Sequence, residues 1–181
     1  LILGTLLVTL VSIVIALPFG IGTAVYISEI APDWMKTFLK PTIEVLAGIP
    51  SVVLGFIGIL VVVPLMRAVF QLPTGLTGLT GSIMLGLIAI PTVVSIAEDA
   101  LNTVPTSYRQ AALALGATHW QTIWGVTLPA ARSGVLTAVM LGVGRALGET
   151  MAVMMVTGNA PVMPTRFDSI LHPLRTMTAT I

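Results

Sequence analysis

The sequence has 181 residues, of which 56% are hydrophobic and only 8% are charged, and its formal net charge is +1. Ordinary soluble domains carry about 25% charged residues, so this composition excludes an ordinary soluble domain, and without a basic cluster it predicts no nucleic-acid partner. Because cysteine is absent, disulfides and thiolate metal sites are excluded too. His119 and His172 are isolated and lack metal-ligand spacing, so we predict neither a metal nor a cofactor.

Four apolar segments are long enough to cross a membrane, which takes about 20 mostly apolar residues. They cover residues 1–27, 41–66, 79–97 and 130–157. Pro18 and Pro91 interrupt the first and the third, and neighbouring helices make such interruptions tolerable in a membrane. The sequence therefore predicts an all-α membrane protein, with a single transmembrane domain over residues 1–181 that crosses the cell (plasma) membrane several times and contacts membrane lipid.

Four spans place the connections 28–40 and 98–129 on the same side of the membrane. Glu98 and Asp99 open the longer connection and are expected to be solvated. Four basic residues belong to this side and three to the other, which slightly favours a cytoplasmic location under the positive-inside rule. The four are Lys36, Lys40, Arg109 and Arg132, and the three are Arg67, Arg166 and Arg175.

The connection 98–129 contains a polar, small-residue segment between two strongly apolar ones. It reads Gln110-Ala-Ala-Leu-Ala-Leu-Gly116 and continues to Val126-Thr-Leu-Pro129. Alanine and leucine favour a helix, Thr106 or Ser107 is expected to cap its start, and the glycine to end it. Residues 119–124 predict a second short helix outside the membrane. From the residues alone, a docking surface for another protein and an ordinary re-entrant connection both remain open.

The spacing of this segment resembles the EAA motif of ABC importer permeases, which reads Glu-Ala-Ala, three residues, Gly, nine residues, Ile, one residue, Leu-Pro. Gln110 and Val126 replace the family's Glu and Ile. In that family the segment is a cytoplasmic coupling helix that docks in a groove of the ATP-binding subunit. The resemblance implies ATPase coupling by Gln110, Ala111, Ala112, Gly116, Leu128 and Pro129. Since Gln110 lacks the acidic charge, we expect docking to depend on shape around Ala111, Ala112 and Gly116.

Three further stretches look like the phosphate-specific branch of these permeases. They are Leu46-Ala-Gly-Ile-Pro-Ser-Val-Val53, Gly144-Arg-Ala-Leu-Gly-Glu-Thr-Met-Ala-Val153 and Gly158-Asn159. The Gly-Glu-Thr-Met-Ala-Val continuation is similar to PstC rather than to its partner PstA. The resemblance implies a MetI-like helical bundle of about six spans. Because the chain begins within an apolar run, without an initiator Met or a basic segment, we expect it to be part of a longer protein.

The same resemblance implies a function and a set of partners. The chain would be the transmembrane subunit of an ATP-driven importer of inorganic phosphate, assembled with two ATP-binding cassette subunits and a second homologous permease subunit. An extracytoplasmic phosphate-binding protein would deliver the substrate to residues 67–80 and to the region after Gly158. No Gly-rich phosphate loop ending in Lys-Ser/Thr is present, so ATP hydrolysis would belong to the partners and the chain is not predicted to be an enzyme.

Arg145 and Glu149 are the charged residues of the fourth predicted span. Arg145 would lie about 16 Å into the membrane, where insertion of an arginine costs about 2.5 to 3.5 kcal/mol. Spaced one helical turn apart, the two side chains would pair on one face, although cation-before-anion is the weaker order. They could be a self-neutralising pair, or Arg145 could offer its guanidinium to an oxyanion. In phosphate permeases the corresponding residues are thought to line the pathway, which favours the second role.

The sequence leaves three alternatives to phosphate import. A permease for another oxyanion, such as molybdate or sulfate, would share the same coupling motif. A secondary transporter or channel would use Arg145 and Glu149 as a relay without ATP. An intramembrane enzyme is disfavoured, since the predicted spans contain no Ser/His, paired-acid or metal-binding constellation.

Overall fold

The computed structural model describes residues 1–161 and 167–180, where helices dominate and a single bridge joins Gly158 to Leu174. The α-helices are α1 (Ile2–Val25), α2 (Asp33–Gly48), α3 (Ser51–Ile57), α4 (Val63–Phe70), α5 (Gly78–Asn102), α6 (Thr106–Ala114), α7 (His119–Thr122), α8 (Leu128–Ala130), α9 (Arg132–Gly148) and α10 (Met151–Val156). Wider π-helical turns follow α1, α3 and α7, at Tyr26–Ile30, Gly58–Val62 and Ile123–Thr127, and a 3-10 helix covers Phe167–Leu171.

Three helical segments are long and apolar enough to cross a membrane, namely Ile2–Ile30, Ser51–Phe70 and Gly78–Asn102. A fourth candidate joins His119–Ala130 to Arg132–Gly148 through a bend of 72°. The predicted fold class, an all-α membrane protein with about four apolar spans, is therefore confirmed. The extent of the transmembrane domain and the limits of its spans stay predictions.

The helix predicted over residues 41–66 is divided at Ile49 and Pro50. A proline ring disfavours the helical conformation of the residue before it, so α2 ends at Gly48 and Pro50, with φ −57° and ψ 132°, caps the start of α3. Pro41 lies inside α2 without ending it. The continuous helix of spanning length is consequently Ser51–Phe70, which begins about ten residues later than the sequence predicts.

The helix predicted over residues 130–157 is also interrupted, first at Ala131 and again at Glu149 and Thr150. At the second break Glu149 Oε1 accepts a hydrogen bond of 3.4 Å from the backbone N–H of Ala152. A carboxylate that bonds the free N–H groups at a helix start favours a new helix over continuation of the old one. α9 ends at Gly148, so Glu149 lies just beyond the helix that carries Arg145, and the pairing of the two side chains stays a prediction.

The chain forms two compact units. One comprises residues 1–16, 48–90 and 142–181, and the other comprises residues 17–47 and 91–141. In the first unit a buried cluster gathers Val8, Leu85, Val153 and Leu174. Near it, the amides of Gly78 and Leu174 donate to the carbonyls of His172 (3.1 Å) and Thr157 (2.9 Å). These bonds join the connection before α5 to the segment after α10, which the sequence places on one side of the membrane.

In the second unit α5 and α9 approach closely where glycine faces alanine. A Cβ added at Gly134 would collide with the Cβ of Ala100. Gly134→Ala is therefore expected to destabilise the protein by about 1–3 kcal/mol through overpacking, measured as a lower midpoint of thermal unfolding in detergent.

Gly144 provides the matched control on the same helix. A Cβ added there meets nothing within 4 Å, so Gly144→Ala should be neutral or stabilise by up to about 1 kcal/mol, since alanine favours helix over glycine. Equal unfolding midpoints for the two variants would contradict the close contact of α5 with α9.

Candidate coupling site

The predicted helix–turn–helix of the polar connection is present. α6 covers Thr106–Ala114 and ends at Leu115. Gly116 follows with a φ of +83°, a conformation that glycine adopts without steric cost. The N–H groups of Gly116 and Ala117 close the turn by donating to the carbonyls of Leu113 (3.0 Å) and Ala112 (3.1 Å). The prediction that Gly116 ends the first helix is confirmed.

The cap of the first short helix differs from the prediction, whereas the second helix begins at His119 as predicted. Pro105 caps α6 with φ −56° and ψ 136° and no side-chain hydrogen bond, so the expectation of Thr106 or Ser107 as the cap is wrong. A proline disfavours helix for the residue before it, and the helix accordingly starts just after Pro105. At α7, Thr118 Oγ1 accepts from the N–H of Gln121 (3.3 Å) while Gln121 Oε1 accepts from that of Thr118 (2.8 Å). This capping box follows the Thr-x-x-Gln pattern of the sequence.

The predicted coupling residues do not all face outward. Gln110, Ala111, Gly116 and Pro129 are exposed, whereas Leu128 is half-buried. Ala112 is buried, at 8% exposure. Instead, Leu115 stands 90% exposed beside Gly116. We call the exposed residues Gln110, Ala111, Leu115 and Gly116 the coupling surface, and Ala112 lies buried behind it.

Arg109 fixes α6 to the end of α1 through contacts that the sequence did not reveal. Its Nη2 and Nε donate to Glu29 Oε1 at 2.6 and 3.1 Å. Its Nη1 donates to the carbonyl of Val104 (3.1 Å), and Nη2 also to that of Leu101 (3.0 Å). The Glu29 side chain is 4% exposed and that of Arg109 is 22% exposed. In the sequence, this contact is indicated only by an acidic residue, Glu29, at the end of an apolar span.

A second ionic contact joins α2 to α5. Lys40 Nζ lies 2.8 Å from both Glu98 Oε2 and Asp99 Oδ1. Asn102 donates to Glu98 Oε1 (2.6 Å) and accepts from Ser28 (2.8 Å). Glu98 is only 6% exposed, so the prediction that it is solvated is wrong. Hydrogen bonds from Lys40 and Asn102 take the place of hydrogen bonds from water at its carboxylate. Asp99 remains exposed, as predicted.

The hydrogen bonds to Asp99 and then Glu98 raise the pKa of Lys40 above its ordinary range. Since the folded-state pKa is raised, the stability from this contact is fully present below the ordinary lysine pKa and is lost only as the pH rises through the raised value. At neutral pH the contact is therefore intact. Together with the Glu29–Arg109 pair, it supports the prediction that connections 28–40 and 98–129 lie on the same side.

The predicted pathway residues lie at the end of α9. Arg145 is in its last turn, and Glu149 follows in the break before α10. Both side chains are half-buried. Among the described residues, no group of three or more His, Asp or Glu side chains has the arrangement of a metal site.

Comparison with known proteins identifies the family. A family model described as "Binding-protein-dependent transport system inner membrane component" matches residues 16–172. The chain is 49% identical over 163 residues to the "Probable ABC transporter permease protein YqgH" of Bacillus subtilis, covering 90% of this chain and 53% of that protein. It is 38% identical over 197 residues to the "Phosphate transport system permease protein PstC" of Xylella fastidiosa, covering 98% and 60%. For the PstC of Pasteurella multocida the identity is 34% over 199 residues, covering 99% and 61%.

The chain thus spans between about half and three fifths of the length of these curated relatives. The predicted resemblance to ABC importer permeases of the phosphate-specific branch is confirmed by these similarities, and the predicted multi-pass location in the cell membrane is confirmed by the family match together with the apolar helices. The chain belongs to the family of binding-protein-dependent transport system inner membrane components.

Proposed function

We propose that the chain forms the transmembrane subunit of an ATP-driven importer of inorganic phosphate. The observation that carries this proposal is similarity over 98–99% of the chain to proteins named phosphate transport system permease protein PstC. The exposed helix–turn–helix at the EAA-like motif agrees with it, because an importer of this kind needs a surface on which an ATPase can act.

The coupling surface is the proposed docking site for the ATP-binding cassette subunits. Gln110 and Ala111 lie on α6, while Leu115 and Gly116 form the turn that follows. Leu115 is 90% exposed, and an exposed apolar side chain can serve as an anchor in a groove of a partner. Since Gln110 is uncharged, docking would depend on shape and apolar contact. ATP hydrolysis would take place in the partner subunits.

The remaining partners are proposed from the same similarity. A second homologous permease subunit would complete the translocation pathway. An extracytoplasmic phosphate-binding protein would dock near residues 67–80, which include the wall of a 660 Å³ cavity between α4 and the following loop. The second predicted contact region begins after Gly158, and its residues 162–166 lie outside the described part of the chain.

Arg145 is the proposed phosphate-contacting residue of the pathway. Its planar guanidinium presents paired donors that match a tetrahedral oxyanion. Glu149 follows at the helix break, where its carboxylate bonds the start of α10. The proposed role of Glu149 is therefore to stabilise the helix break next to Arg145. It would also neutralise the charge of Arg145 between transport events.

The decisive experiment is uptake by the complete complex in proteoliposomes, with the binding protein and radiolabelled phosphate. We expect uptake that requires ATP and that excess sulfate or molybdate does not inhibit. Uptake that continues without ATP would instead identify a secondary transporter or channel. ATP-dependent uptake of sulfate or molybdate in preference to phosphate would identify a different oxyanion permease.

A further inference from the structure

We infer that Glu29 and Arg109 transmit movement of the coupling surface to α1. This inference rests on the proposed function, because it assumes that a partner ATPase moves α6. The EAA-like motif itself contains neither residue. The structure joins α6 to a residue 80 positions earlier in the chain.

The contact is built to hold α6 at a fixed distance and angle. Arg109 makes two bonds to Glu29 Oε1 and two to the carbonyls of Val104 and Leu101. The guanidinium is planar and rigid, so four bonds in different directions leave it little freedom to rotate. Because the Glu29 side chain is 4% exposed, water is poorly placed to replace Arg109 when α6 is pulled.

The second short helix is attached to the same residue. His119, the first residue of α7, has its Nε2 3.1 Å from the backbone carbonyl oxygen of Glu29, to which it donates when protonated at that nitrogen. The two helices on either side of Gly116 therefore converge on Glu29. A displacement of either α6 or α7 would therefore pull on the same residue, Glu29.

Glu29 lies in the π-helical turn Tyr26–Ile30, which continues α1. Turns of this type are often found at functional sites, and they locally interrupt the α-helical hydrogen bonding. The chain links α6 directly to α5 through residues 103–105, so α5 follows α6 by covalent connection. α1 has no such connection to α6. The contacts of Glu29 join the turn after α1 directly to α6 and α7, beside the Ser28–Asn102 hydrogen bond that joins it to α5.

The test uses the complete complex and measures phosphate transported per ATP hydrolysed. Glu29→Gln removes the charge but keeps the Oε1 acceptor, whereas Arg109→Lys keeps the charge but loses the rigid fork. Both are expected to lower the ratio by about two- to thirtyfold, the usual range for disrupted coupling elements. Co-purification with the ATPase should persist, because neither residue belongs to the coupling surface.

Lys40→Gln is the matched control. It breaks two ion pairs of the same unit, those of Lys40 with Glu98 and Asp99, and Lys40 contacts neither α6 nor α7 through them. A general loss of stability would therefore appear in this variant too, whereas the ratio is expected to change only in the variants of Glu29 and Arg109. Since the ratio divides phosphate transported by ATP hydrolysed in the same sample, a lower yield of a variant does not affect it.

A rescue experiment follows from the absence of cysteine in the chain. In Glu29→Cys with Arg109→Cys, bridging the two thiols with a bifunctional maleimide should restore the ratio, whereas labelling either single variant should not. A ratio that is unchanged in Glu29→Gln and Arg109→Lys, or lowered equally in Lys40→Gln, would overturn the inference alone. A wild-type complex that transports nothing with ATP would overturn the proposed function as well.

Discussion

Replacing Arg145 by glutamine is expected to abolish ATP-driven phosphate uptake while the complex still assembles. Glutamine keeps hydrogen-bond donors and comparable length but loses the positive charge, and attraction between opposite charges is strong where water is scarce. Arg145 lies in the last turn of α9, just before the break at Glu149, so the substitution alters neither the coupling surface nor the buried cluster. Uptake of labelled phosphate and co-purification of the ATPase subunits measure the two parts of this expectation.

Two further variants test whether the loss of uptake is due to the charge and the paired donors of Arg145. Arg145→Lys keeps the charge and loses the paired donors, so it should retain part of the maximal uptake while raising the phosphate concentration for half-maximal rate by about tenfold, equivalent to one lost charge-assisted hydrogen bond. Arg132→Gln removes an exposed arginine from the first position of the same helix and should transport normally. Normal uptake by Arg145→Gln would show that Arg145 does not contact phosphate in the pathway.

Replacing Gly116 by valine is expected to prevent stable association with the ATPase subunits. The obstacle is the backbone conformation rather than the available space, since φ is +83° and an added Cβ meets nothing within 4 Å. The left-handed conformation costs an L-residue about 1–2 kcal/mol, and for a β-branched residue it is a genuine outlier. The turn would open, and Leu115 and the start of α7 would move relative to α6. Co-purification should fall by at least about tenfold.

Gly116→Asn and Gly116→Ala separate conformation from bulk. Asparagine tolerates positive φ better than other residues, so Gly116→Asn should retain most of the association although its side chain is larger than that of alanine. Gly116→Ala should be the more affected of the two. The opposite order, with association falling as the side chain grows, would mean that the partner's surface and not the turn geometry requires glycine here.

The local features of the coupling site were largely predictable. Ala111 and its neighbours favour helix, Gly116 provides a residue suited to positive φ, and both effects depend on a few adjacent residues. The capping box of Thr118 and Gln121 belongs to the same class and was equally readable. The inward orientation of Ala112 was not predictable, because it depends on how α6 packs against the rest of its unit.

The helix breaks show the limit of reasoning from hydropathy. Pro50 marks one break in the sequence, yet Pro41, which looks equally disruptive, lies inside α2. The break at Glu149 and Thr150 has no proline. At this break the carboxylate of Glu149 accepts a hydrogen bond from the amide of Ala152. Because apolar residues continue on both sides, hydropathy does not indicate a break here.

Composition and local spacing by themselves determined the all-α membrane class, the approximate number of spans, the helix–turn–helix and its resemblance to a coupling motif. These properties follow from apolar length and from interactions between residues a few positions apart. Only the tertiary structure decided that Glu29 pairs with Arg109, that Lys40 buries Glu98, and that Ala112 lies behind the coupling surface. The two ionic contacts join segments far apart in the chain. A poorly solvated charged side chain pairs with whichever opposite charge the fold brings near it, and sequence separation does not encode that proximity.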